Sequence, residues 1–360
     1  MNYLLEYPFS VLFYLFILIT STIVAKRVEQ KGQISILIIL CVLLSIVAGF
    51  RSEEVGIDTS TYISVFRAKN YNWYDYGFAF FTSIFSKINS EQLYLFAIGV
   101  IIYFLIIFRL WELREYIDFK FSIFCFIALH YASSLNTMRQ FMAVAIILFG
   151  TRYLYKQKLL IYIIFVLIAS SFHTSAIISS FYVLIYFLPT EKRKNNKLII
   201  HMFSMFFLLI TFFYIINSQI ILGYVQDKVE YYFTSPYEGG AGYFIFVRFL
   251  VLFVPLFLGK KFRNIKDEKN RFLYRTSFLY LLIGTLLSII GYYYKYMNRI
   301  AFYFSIQELI YYSIAWKHTR SLSKPNALSV RICIVFLIIY PYILQFINNS
   351  YKTLPYKLFF

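Results

Sequence analysis

LLIYIIFVLIASSFHTSAIISSFYVLIYFL, residues 159–188, is the stretch whose reading decides the fold. Its 30 residues are almost all apolar, and one helix crosses a bilayer comfortably in about 17–25. The run is interrupted at 169–176 by Ala-Ser-Ser-Phe-His-Thr-Ser-Ala, whose small and hydroxylated residues can satisfy backbone groups freed by a break. Two short helices meeting at His173 are therefore expected. A single tilted helix would invert every later assignment.

Other apolar runs lie on both sides of this one, at about 9–25, 33–50, 91–108, 119–135, 138–154, 198–217, 243–258, 272–292, 300–316 and 331–347. The first is expected to be a spanning helix, not a signal peptide, because Lys26-Arg27 follows it without a small-residue cleavage motif. Composition agrees: 60% of the 360 residues are hydrophobic and 14% charged, against roughly 25% charged in soluble domains. The expected fold class is all-α: a polytopic membrane protein, residues 1–360 forming one domain, with about twelve crossings and a broken pair near residue 173.

Charge supports the same topology. With the amino terminus outside, loops 26–31, 109–120, 152–158, 190–197, 259–275 and 317–331 face the cytoplasm and carry 24 of the 35 Lys and Arg. The formal charge of +18 is thus a positive-inside bias and not a nucleic-acid footprint. Two longer extracytoplasmic loops remain. Residues 51–90 contain an amphipathic piece at 77–88, and 218–242 end in a Gly- and Pro-rich segment. Cys41, Cys125 and Cys333 lie inside apolar runs with no metal-ligand spacing, and packing is the role expected of them.

The outer side collects the polar residues that carry chemistry. Arg51 ends the second run, and Asp58 follows within Gly49–Tyr62. Asn136, Arg139 and Gln140 open the fifth run, His173 sits in the break, and Arg299 opens the run at 300. Helices starting near 138, 174 and 300 would point their amino termini outward, where free N–H groups and arginine forks suit phosphate. Plainer roles stay open: Arg51 and Arg299 as interfacial anchors, Asp58 as a helix cap, His173 as packing. Glu308 is expected mid-helix and in need of a partner, Arg248 or Arg275, while His130 and His201 give no signal.

Gly49-Phe50-Arg51-Ser52 with Val55-Gly56-x-Asp58-Thr59-x-x-Tyr62, then Asn136-x-Met138-Arg139-Gln140, Phe172-His173-x-Ser175-Ala176 and Asn298-Arg299 before Tyr303-Phe304 resemble, in order, the signatures of the EpsG-type family of bacterial polysaccharide-repeat polymerases, relatives of the Wzy O-antigen and capsule polymerases. The likeness covers nearly the whole chain. It implies a GT-C-like or Wzy-like helical fold in the bacterial cytoplasmic membrane, with the active site facing outside. The implied reaction moves a glycan from undecaprenyl pyrophosphate onto a second lipid-linked repeat to build exopolysaccharide. Arg139, Gln140 and Arg299 would then bind pyrophosphate. Arg51 would order the outer loop or bind a second phosphate, and Asp58 or His173 would activate the acceptor. Asn136, Tyr62, Ser175 and Glu308 would support them. One departure is that Asp75 stands one position earlier than the family's acid before Gly77-Phe78, which counts against a catalytic role.

No nucleotide motif or metal-ligand cluster is present in the sequence, so a metal-independent transfer without cofactor is expected; a divalent ion held by Asp58 and lipid phosphate stays open. The partners expected are the bilayer, the lipid-linked oligosaccharide, and a chain-length regulator and flippase of the same pathway. Two other functions use similar features: a flippase of lipid-linked sugars, and an acyltransferase using His173 as base.

Overall fold

The computed structural model describes residues 2–187, 267–293 and 295–359. Among them the chain is almost entirely helical, and its one extended pairing is an isolated antiparallel bridge between Arg51 and Leu358. The helices are α1 (Pro8–Lys31), α2 (Ile34–Gly49), α3 (Thr59–Ala68), α4 (Tyr76–Ser86), α5 (Glu91–Glu112) and α6 (Phe119–Phe126), which continues through a π turn (Ile127–Tyr131) into Ala132–Asn136. They continue with α7 (Met138–Tyr155), α8 (Leu159–Phe172), a 3-10 segment (Thr174–Phe187), α9 (Glu268–Tyr293), α10 (Lys295–Ser305), α11 (Glu308–His318) and α12 (Lys324–Ile347).

This is a membrane protein. Among the described residues, Pro8–Lys31, Glu91–Glu112, Glu268–Ile289 and Lys324–Ile347 are long and apolar enough to cross a bilayer. Ile34–Gly49, Leu159–Phe172 and Thr174–Val183 are shorter apolar helices. Large apolar side chains face outward in rows, with Phe16 63% exposed on α1, Leu160 68% on α8 and Ile332 60% on α12. A water-facing protein of this size does not show such bands, and lipid tails satisfy them. The expected twelve crossings are not reached on the described residues. The expected crossings at 198–217 and 243–258, the outer loop 218–242, His201 and Arg248 lie outside them.

Two expected elements take a different form. The run 159–188 does break at His173, but its second half is 3-10 and not α-helical. Tyr162 donates a hydrogen bond to the Ser179 carbonyl at 2.7 Å. In one continuous helix these residues would be about 25 Å apart, so the chain reverses here. The run 300–316 is split as well. Its first helix begins at Lys295, and Ile306-Gln307 interrupt it before Glu308 opens α11.

The packing of α2 on α5 depends on small residues. A Cβ on Gly49 would lie 2.6 Å from Phe96 Cβ, and one on Gly99 would meet Ser45 Cα at 3.2 Å and Ala48 Cβ at 3.3 Å. Membrane helices gain little from hydrophobic transfer between them, so close backbone approach supplies the attraction. Gly49→Val is therefore expected to cost roughly 1–3 kcal/mol through forced separation, read as a lower Tm in detergent. An unchanged Tm would mean that the α2–α5 contact contributes nothing to stability.

The carboxyl-terminal tail, which the sequence reading did not assign, straps one end of the bundle. The Ser52 N–H donates to the Lys357 carbonyl (2.8 Å), the Phe359 N–H to the Phe50 carbonyl (3.0 Å) and the Gly56 N–H to the Lys352 carbonyl (2.8 Å). Tyr14 Oη donates to the Thr353 carbonyl and Tyr356 Oη to the Val47 carbonyl. The start of α1, the end of α2 and the tail thus share one end.

Candidate functional site

The loop between α2 and α3 is built around Arg51. The end of α2 and the turn before α7 leave carbonyls without helical partners, and the guanidinium collects them. It donates to Val55 O (3.3 Å), Leu135 O (2.7 Å), Thr59 Oγ1 (3.4 Å) and, in a short contact, Ala48 O. Arg51 is 1% exposed, and burial lowers its pKa. Of the two roles expected of Arg51, ordering the outer loop or binding a second phosphate, these bonds to the protein's own groups favour the first. Gly56 completes the turn at φ +102, where a Cβ would come within 2.6 Å of Thr59 Oγ1.

That loop is then tied to the start of α7. The Asp58 N–H donates to Asn136 Oδ1 at 2.8 Å. Asp58 stands at the N-cap of α3, yet its carboxylate makes no capping bond, so the helix-cap reading does not hold. Burial raises the pKa of this carboxyl, and the Arg299 and Arg139 guanidiniums pull it back. Both arginines thus lie within electrostatic reach of Asp58.

Arg139, in the first turn of α7, is held from one side by Asp75 Oδ2 at 3.4 Å. Its guanidinium carbon lies 5.0 Å from the centre of the Tyr74 ring, and its Nε has no hydrogen-bond partner. Tyr62 packs against Tyr74 and Phe78 at ring-centroid distances of 6.1 and 5.8 Å, walling the same spot. The other carboxylate oxygen of Asp75 accepts a short hydrogen bond from Thr174 Oγ1, next to His173. Asp75, discounted from the sequence, therefore links the arginine to the break in 159–188.

His173 caps the end of α8 in extended conformation, and its N–H is satisfied by the Ala169 carbonyl at 3.0 Å. Nδ1 lies 2.7 Å from Ser175 Oγ and 3.4 Å from Tyr303 Oη, and those two hydroxyls are 3.2 Å apart. Burial, with Arg139 and then Arg299 adding repulsion, takes the imidazole pKa down to about 3. The surroundings thus favour the neutral ring.

Arg299 comes from a different position than expected. It lies in the second turn of α10 and not at a helix amino terminus. Gln140 fixes it there: Nε2 donates a short hydrogen bond to the Arg299 carbonyl. Gln140, expected as a pyrophosphate ligand, here joins α7 to α10. Asn298 Nδ2 donates to the Gly291 carbonyl (2.9 Å) and holds the α9–α10 hairpin.

Glu308 is also corrected. It is not mid-helix but opens α11; of the two arginines expected to pair with it, Arg275 lies exposed on α9 and Arg248 lies outside the described residues. Its Oε1 lies 2.9 Å from His130 Nε2, both side chains buried. His130 sits in the π turn, and the sequence reading missed it. Depth was the available signal. His130 is 11 residues from Phe119 and Glu308 is 10 from His318, each roughly 15–17 Å along its helix. Both side chains are buried within the bundle.

One end of the bundle therefore carries Asp58, Asp75, Arg139, His173 and Arg299, with Asn136, Gln140, Ser175 and Tyr303 positioning them. Two cations beside a carboxylate and a neutral imidazole suit a polyanionic leaving group and an incoming hydroxyl. The EpsG family model matches residues 34–358. No curated protein and no solved structure matches the chain.

Proposed function

The chain belongs to the EpsG family, and from that premise we propose that it is a polysaccharide polymerase, a membrane glycosyltransferase joining lipid-pyrophosphate-linked repeats at the outer face of the cytoplasmic membrane. The observation that carries this reading is the pair Arg139 and Arg299, contributed by separate helices and both acting on the Asp58 carboxyl. The acceptor hydroxyl oxygen attacks the anomeric carbon, and the bond from that carbon to the pyrophosphate oxygen breaks. Pyrophosphate departs on its lipid with its developing charge held by the two guanidiniums. The hydroxyl proton passes to Asp58, whose raised pKa makes it a better base than an ordinary aspartate. His173, neutral and with Nδ1 engaged by Ser175, orients the acceptor through Nε2. Asp75 fixes the Arg139 fork.

The test is to supply purified protein in detergent with a lipid-linked repeat and look for a ladder of longer glycans. Movement of the repeat across a proteoliposome membrane without any ladder would overturn the proposal in favour of a flippase.

A pH profile separates the two candidate bases. With its pKa near 3, His173 does not change charge between pH 5 and 8, so the elongation rate is expected to show no limb near 6.5, where an ordinary histidine titrates. Asp58 is active when ionised. Its raised pKa places the acid limb above the ordinary value of 3.8, and the rate falls as pH drops through it. Asp58→Asn should remove that limb along with most of the rate. A limb near 6.5 that disappears in His173→Gln would transfer the base role to histidine.

A further inference from the structure

At the end of the bundle opposite Arg139, the carboxyl ends of α5 and α7 and the start of α9 enclose a cavity of about 340 Å³. Among the described residues five cations line it, Arg109, Arg114, Arg152, Lys156 and Lys269, and Glu112 is the one acid. Glu112 bridges two of them, at 3.3 Å to Arg109 Nη1 and 2.8 Å to Arg152 Nη2. Cations at helix carboxyl ends offset the macrodipole, which accounts for some of this charge. It does not account for Arg109. That side chain is 4% exposed, its guanidinium lies over the Tyr155 ring, and its Nε and Nη2 are buried without a hydrogen-bond partner among the described residues. Arg152 Nε is in the same state. Guanidinium donors left unpaired in a partly buried, net-positive cavity are costly, and an anion bound there removes the cost.

We propose that this cavity is a second binding site, taking a phosphate-bearing anion on Arg109 and Arg152. The fork geometry of two guanidiniums matches tetrahedral phosphate oxygens. Tyr155 and Tyr116, the latter 4.6 Å from Lys269 Nζ, give the site aromatic walls for an organic group attached to the phosphate. The anion is either a phospholipid headgroup or a soluble phosphate.

The experiment uses the full chain in detergent. Native mass spectrometry reads retention of phosphatidylglycerol against phosphatidylcholine, and thermal denaturation is followed with and without millimolar inorganic phosphate. The double variant Arg109→Gln/Arg152→Gln is expected to lose retention of phosphatidylglycerol by about tenfold or more. Arg139→Gln, at the other end, should retain it. If phosphate raises Tm with the same dependence on Arg109 and Arg152 and the lipid is not retained, the site takes a soluble phosphate. Should the double variant fail to fold, Arg152→Gln/Lys269→Gln at the more exposed edge serves in its place. Binding of neither probe, or binding unaffected by these substitutions, overturns the proposal.

Discussion

Replacing Arg139 with glutamine is expected to lower elongation of a lipid-linked repeat by roughly 10²–10³-fold, the loss typical when one preorganised donor to a developing anion is removed. The protein should stay folded. Arg139 is partly exposed, it pairs with Asp75, and among the described residues its Nε has no acceptor. Arg139→Lys keeps the charge but loses the planar fork, and should recover only part of the rate. Asp75→Asn should follow in the same direction with a smaller effect, because it loosens the fork without removing it. Initial rates from the glycan ladder, beside size-exclusion profiles and Tm for each variant, check these outcomes. Normal elongation by Arg139→Gln would remove the central residue of the site.

Arg51→Met is expected to act on the fold instead. The methionine fills much of the same space but leaves the carbonyls of Ala48 and Leu135 without their donor, while Val55 O keeps its bond from Thr59 Oγ1. Buried acceptors without partners cost about 1–3 kcal/mol each, so a loss of roughly 2 kcal/mol or more is expected. Residues 51–58 would then lose their anchor to the start of α7, and Asp58 would lose its placement with them. The readout is a lower yield of monodisperse protein and a lower Tm in detergent, with activity falling in proportion to folded protein. An Arg51→Met variant with unchanged Tm but no elongation would return this residue to substrate binding.

The contrast between these two arginines shows how far the residues could be read unaided. In sequence both stand where an apolar run meets polar residues, and both suit phosphate. They differ in their surroundings. Arg51 lies between two helix ends whose unpaired carbonyls outnumber their donors. Arg139 lies beside a carboxylate and aromatic rings with one nitrogen left over. Gln140 repeats the point, because its amide meets a carbonyl contributed 159 positions later. Asp75 shows the converse: one position out of place along the chain, it is brought into the site by the turn before α4.

Local pattern alone pointed to a helical membrane protein, favoured a break at His173 in the run at 159–188, and named Asp58, Arg139, His173 and Arg299 as candidates for one end of it. Those readings follow from the length and polarity of short segments, which the bilayer reads without reference to the rest of the chain. Only the tertiary structure decided which polar group meets which: Arg51 with backbone carbonyls, Glu308 with His130, Gln140 with Arg299, Asp75 with Arg139. A buried donor takes whatever acceptor the packing brings within about 3 Å, and that distance is set by segments far apart in the chain.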